Sequence, residues 1–148
     1  MTAITIHQPW ATLIALGEKR FETRSWATKY RGPIAIHAAK KVDLKICLEE
    51  PFRSILARHG YTADNLPTGA VVAICQLQEC HKVIEDYGSS ALVGEDLTRI
   101  MRPEYDFGWY EIGRYAWELT DIKQIDPVSA KGQQGLWNWG GERDASRA

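Results

Sequence analysis

Long apolar runs are missing from this 148-residue chain. No stretch approaches the ~20 apolar residues that a helical membrane span requires. The opening MTAITIHQPW has no cationic segment leading into an apolar one, so no secretory leader is expected there. Cysteine is scarce: Cys47, Cys75 and Cys80 form an odd set at irregular spacing. That excludes a disulfide framework and fits a reducing, cytoplasmic setting. Repeats, low-complexity tracts and Gly/Ser linkers are also lacking. An excess of one charge is lacking too, because the formal net charge is −1. Broad, nonspecific affinity for nucleic acid needs many phosphate contacts and is not expected of such a balance.

The composition present is that of one ordinary globular domain, 45% hydrophobic and 25% charged. A chain of this length buries roughly 70% of its unfolded surface and folds without staples. The weak net charge conceals a split. Residues 1–41 hold seven basic and two acidic residues, and the remainder eleven and seventeen, so +5 faces −6. Such a division can build one positive face for an anionic partner, or be scattered over the surface.

Residues 3–7 are β-branched and predict a strand; Pro9 then opens a short helix whose stripe is Trp10, Leu13 and Ile14. Residues 20–26 predict a second strand, with Glu22, Arg24 and Trp26 on one face and Phe21 and Thr23 on the other. Residues 34–39 predict a third. Asp43 can cap a helix, Pro51 begins another helical piece, and Gly60 ends it. Residues 70–77 read as a strand buried on both faces, and 85–111 as a helix plus loops. Residues 114–120 alternate, with Tyr115, Trp117 and Leu119 on one face. A glycine-rich tail with two tryptophans follows. The domain is expected to span 1–141, with 142–148 frayed. Strands interrupted by a helical insert imply an α+β barrel.

Several residues can carry chemistry. Lys19 and Arg24 are candidate phosphate ligands, Lys as a point charge and Arg as a planar fork; a solvated surface pair is the bland alternative. Glu22 can orient Arg24, accept from a base edge, act as a general base, or close an internal salt bridge. Trp26, with Ser25 beside it, offers a stacking surface, whereas Trp10 continues a core stripe. Gln8 can cap the first helix or read a base edge. His37 alternates out of phase with Ile34 and Ile36, towards Lys40 and Lys41. Lys131-Gly132-Gln133-Gln134-Gly135 can cradle an anion with backbone N–H groups or simply be a turn, and Lys131 and Gln134 are its candidate ligands. Cys75, Cys80, His81 and His59 lack a second ligand half, so neither a metal nor a cofactor is expected.

Gly17-Glu18-Lys19-Arg20-Phe21-Glu22-Thr23-Arg24 resembles the G-x-K-x-x-E-x-R motif of the ASCH family. His7-Gln8-Pro9-Trp10-Ala11, Ser25-Trp26, Tyr30-Arg31-Gly32-Pro33, Ile36-His37-Ala38-Ala39, Leu66-Pro67-Thr68-Gly69-Ala70 and 131–137 extend the likeness to nearly the whole chain, nearest to the cointegrator-type ASCH domains. The resemblance implies a PUA-like β-barrel of about six strands with flanking helices, and a cleft lined by the motif. It implies recognition of RNA, another single-stranded nucleic acid or a modified nucleotide; a membrane partner is not expected, for want of a long apolar run.

The alternative is a hydrolase, either a ribonuclease or an amidohydrolase of modified nucleosides, with Lys19 and Glu22 as the catalytic pair. The amidohydrolase branch resembles G-x-K-x-x-T-x-R, with a threonine nucleophile. Glu22 stands at that position here, and Thr23 is expected to face away, which disfavours that branch. Enzymatic activity is therefore not the leading expectation.

Overall fold

β-branched Thr2–Gln8 forms strand β1, and the stripe after Pro9 folds as helix α1, Trp10–Ala15. In this computed structural model, which describes residues 1–141, the order continues with β2 (Phe21–Arg24), β3 (Gly32–Val42), α2 (Leu44–Cys47) and α3 (Phe52–Arg58). Then come β4 (Ala70–Asp86), β5 (Ala91–Val93), β6 (Thr98–Ile100), α4 (Glu104–Phe107), β7 (Tyr115–Ser129) and β8 (Leu136–Asn138). The expected tail 142–148 lies outside the described residues.

Local chemistry explains most boundaries. The Asp43 carboxylate accepts from the Ile46 N–H at 3.0 Å and caps α2. Gly60 sits at φ +82°, a left-handed conformation that ends α3 without Cβ strain. Two expectations change. β2 stops at Arg24, because Ser25 and Trp26 form a bend, so the period-two face does not reach Trp26. The 85–111 region carries the hairpin β5–β6 and only a four-residue helix. Those strands are three residues each, too short for alternation to show in the sequence. They are held because Ala91, Val93 and Ile100 bury against Val83, Tyr110 and Ala116.

The sheet has eight strands, six of them on one path, β2-β7-β4-β3-β1-β8, with β5 appended to β4 and β6 to β5. All pairs are antiparallel except β1 with β3. The mixed α+β class is as the sequence implies, but the barrel is not closed. The main core, including Ile4, Ile34, Ile36, Leu77, Trp117 and Leu119, packs with fully buried Ala11 and Ile14 of α1. A second cluster joins Leu13 of α1 to Cys47, Phe52, Leu56 and Phe107 from the helices. Among the described residues, no helix is long and apolar enough to cross a membrane.

One contact defines the opening. Where a ladder between β2 and β1 would close the barrel, a side chain crosses instead: the Arg24 Nη2 donates to the Thr5 carbonyl at 3.1 Å. The sheet therefore has a seam, and the candidate site lies along it.

Candidate functional site

β2 pairs with β7 through Phe21–Glu118, Glu22–Trp117, Thr23–Ala116 and Arg24–Tyr115, so its other edge faces the seam. Lys19, just before β2, is 1% exposed. Its ammonium donates to the Phe21 carbonyl and stands 3.5 Å from Glu22 Oε1. Glu22 Oε2 receives Arg24 Nε and Nη2, each at 2.9 Å. The motif's three charges thus form a chain, Lys19–Glu22–Arg24, of which only Arg24 reaches solvent appreciably. Lys19 as a direct phosphate ligand is not what this geometry offers, because burial removes it from any surface contact.

Glu104 of α4 extends the buried network. Its Oε1 accepts the Arg20 N–H at 2.7 Å, while Oε2 has no hydrogen-bond partner. Burial pushes the Glu104 carboxyl above its usual value, against the opposing pull of Lys19 and the N–H groups of Arg20 and Phe21. Tyr110 is 2% exposed, and its hydroxyl is also unpartnered. Burial raises it well above an ordinary tyrosine, with the Glu104 and Glu22 charges adding to the effect.

Above this network lies a hollow of about 460 Å³, the seam pocket. β1 contributes Thr5, Ile6 and His7; β2 contributes Glu22, Thr23 and Arg24. Trp10, Ile46, Phe52 and Phe107 form an apolar wall from the helices, and Asp106, Gly108, Trp109 and Arg114 complete it. Trp109 is 61% exposed. The Arg114 guanidinium lies 4.0 Å from its ring centroid and donates through Nε to the Trp109 carbonyl at 3.0 Å. Thr23 fixes the same segment, its Oγ1 accepting the Trp109 N–H at 2.9 Å. Thr23 was expected to face away from Glu22, yet both line this pocket. Burial lowers Arg114 from its usual value, against the charges of Glu111 and Glu22. The result is an aromatic platform backed by one arginine beside a second arginine that is already oriented.

The other sequence candidates fall elsewhere. Gln8 is fully buried; its amide donates to Thr12 Oγ1 and the Pro67 carbonyl, and its Oε1 accepts the Thr12 N–H. It is spent on holding α1. Ser25 is exposed and off the seam pocket. Trp26 is 37% exposed, also off the pocket, and packs edge-on against Trp117 at 4.8 Å. Trp10, expected in the core, is half-buried at the seam pocket and edge-on to Phe52. His37, Lys40, Lys131 and Gln134 meet at a second hollow of about 620 Å³, the loop pocket, which shares Thr5 with the first. His37 is buried, not turned out, and its Nε2 pairs with the Ala130 carbonyl at 2.7 Å.

Sequence reasoning missed Trp109 and Arg114. Trp109 sits in a segment of weak periodicity, and Arg114 immediately precedes β7, whose alternation marks only its apolar face. The one available signal was an aromatic beside Gly108. At Gly108 a Cβ would meet the Tyr110 ring at 2.7 Å and Thr23 Cγ2 at 3.0 Å, so glycine lets this segment press onto β2. Among the described residues, no group of three His, Cys, Asp or Glu is placed to hold a metal ion. Cys75, fully buried, has its thiol pushed up to about 12 by desolvation.

Comparison with known proteins agrees with the family resemblance. The ASCH domain family matches residues 4–129. Activating signal cointegrator 1 from Homo sapiens is 34% identical over 80 residues, covering 52% of this chain and 14% of that protein. The protein of the same name from Mus musculus is 31% identical over the same length. The chain thus matches about one seventh of these relatives' length. The crystal structure of ASCH from Zymomonas mobilis superposes with a TM-score of 0.55 at 15% identity, over 99% of this chain and 92% of that one.

Proposed function

Because the chain belongs to the ASCH domain family and shares its PUA-like fold, we propose that the seam pocket recognises one nucleotide of a single-stranded nucleic acid, RNA foremost. Residues 1–141 act as the one domain that does so. A base stacks on the open face of Trp109, whose other face Arg114 backs. Phosphate meets the free guanidinium nitrogens of Arg24 and Arg114, and Glu22 keeps Arg24 aimed. The carrying observation is that an exposed tryptophan and two arginines share one hollow of about 460 Å³. Base–aromatic stacking is worth about 1–3 kcal/mol per base, and arginine suits phosphate through paired contacts. A cytoplasmic setting belongs to the same reading and is supported by three free cysteines.

The arrangement favours recognition over hydrolysis. Lys19 is occupied by the Phe21 carbonyl, and Glu22 is divided between Lys19 and Arg24. Both are engaged in holding the motif's charges together, and Lys19 is buried away from any bound molecule. The test is fluorescence anisotropy of a short labelled RNA. Trp109→Ala is expected to weaken binding roughly 5- to 150-fold, the equivalent of one lost stack. Arg114→Gln should weaken it as well. Unchanged affinity in both variants contradicts the proposal.

A further inference from the structure

We propose that the loop pocket is a second subsite, which holds the next nucleotide of the same strand with its phosphate between Lys40 and Lys131. This rests on the seam-pocket reading and extends it from a single nucleotide to a strand of at least two.

The ladder between β1 and β8 is unfinished. β8 pairs with β1 through Thr2–Asn138, Ala3–Trp137 and Ile4–Leu136, and stops there. From Thr5 onward that edge of β1 carries no strand. Arg24 takes the Thr5 carbonyl on the seam side. On the other side the loop before β8 lies against the Thr5 side chain: a Cβ on Gly132 would stand 2.8 Å from Thr5 Oγ1 and 2.7 Å from His37 Cε1. Thr5 therefore lines both hollows, its carbonyl held by Arg24 and its side chain against the loop.

The charges of the two hollows differ. The seam pocket contains Glu22 and Asp106 beside its arginines. The loop pocket has no carboxylate in its lining, and Lys40 and Lys131 are exposed there, neither ion-paired among the described residues. Ser129 and Gln134 add neutral donors and acceptors. Beneath them His37 Nε2 must donate to the Ala130 carbonyl, which leaves Nδ1, buried under Gly132, as a polar atom without a partner. Unpaired lysines over a polar floor suit an anionic backbone continuing from the first site.

The experiment compares a 5′-mononucleotide with di- and tetranucleotide RNAs, using wild type, Lys40→Gln/Lys131→Gln and Trp109→Ala. Both lysines are exposed, so the double variant keeps its fold. It is expected to bind the mononucleotide as wild type does and to bind the longer RNAs more weakly. Its log–log salt slope for those RNAs should flatten by roughly 0.7 for each phosphate contact removed. Gly132→Ala, which pushes the loop off Thr5, should likewise weaken only the longer ligands. Longer RNAs bound with unchanged affinity and slope by the lysine variant overturn the second subsite, as does an equal loss for the mononucleotide. Failure of Trp109→Ala to affect the mononucleotide is a separate result, and it overturns the seam-pocket reading instead.

Discussion

The two hollows that meet at Thr5 are made of opposite material. Beneath the seam pocket the motif's cations are tied to acids and carbonyls: Lys19 is buried against Glu22 and the Phe21 carbonyl, and Arg24 is oriented by Glu22 and the Thr5 carbonyl. At the loop pocket Lys40 and Lys131 sit on the surface with no acid beside them. The difference separates two uses of basic residues that a sequence writes identically. A buried lysine between carboxylates organises a strand and an arginine; an exposed lysine is free to meet a ligand.

The sharpest way to break this comparison is to truncate one lysine from each side. Lys19→Ala leaves Glu22 and Glu104 without their shared buried cation, and losing one partner of a buried pair costs about 3–5 kcal/mol. At roughly 2–4 °C per kcal/mol for a chain of this size, the melting temperature should fall by about 6–20 °C. Lys40→Ala should stay within about 0.5 kcal/mol of wild type. Thermal or urea unfolding measures both. Equal, small losses would mean that Lys19 is not a structural ion.

A second pair concerns the tryptophans. Trp109→Ala should cost binding and little stability, because its ring is 61% exposed. Trp26→Ala should leave binding intact and forfeit its edge-on contact with Trp117, worth about 0.5–1.5 kcal/mol. RNA titrations and melts on the two variants decide it, and a reversed pattern would return the binding face to the end of β2.

The smallest effect is a dependence on pH. The Glu104 carboxyl is raised from 4.5 by burial. A raised acid binds its proton more tightly folded than unfolded, so its contribution is complete below 4.5 and is lost as pH rises through the folded value. In Glu104→Gln that loss is absent. The melting temperature of wild type relative to this variant should therefore decline as pH is raised from 4.5, and a flat difference would place Glu104 in water.

Much of the fold was legible because its signals are local. The β-branched start, Asp43 as a cap, Gly60 as a stop and the apolar run beginning at Ala70 all act within a few residues of themselves. The hairpin Ala91–Ile100 and strand Leu136–Asn138 were not, because each has three-residue strands whose order comes from partners far away in sequence. The motif lies on β2 and the residues just before it, and its spacing does not announce the burial of its lysine. Glu104, whose carboxylate interacts electrostatically with the buried Lys19, is 85 positions away in the chain and lies on a helix of four residues. Trp26 was misplaced for a simpler reason: alternation was extended two residues beyond the point where the backbone bends. Trp109 and Arg114 are brought to the seam by Thr23 and Gly108, a juxtaposition that no spacing in the chain announces.

The proposed ligand contact is Trp109 and not Trp26. The chain has six tryptophans, each with one indole N–H that nuclear magnetic resonance resolves as a separate ¹H–¹⁵N signal. Adding a short single-stranded RNA should shift the Trp109 indole signal, which now reflects donation to Glu111 Oε2 at 3.1 Å, and leave that of Trp26 in place. A Trp26 signal that moves while the Trp109 signal stays fixed would contradict the account.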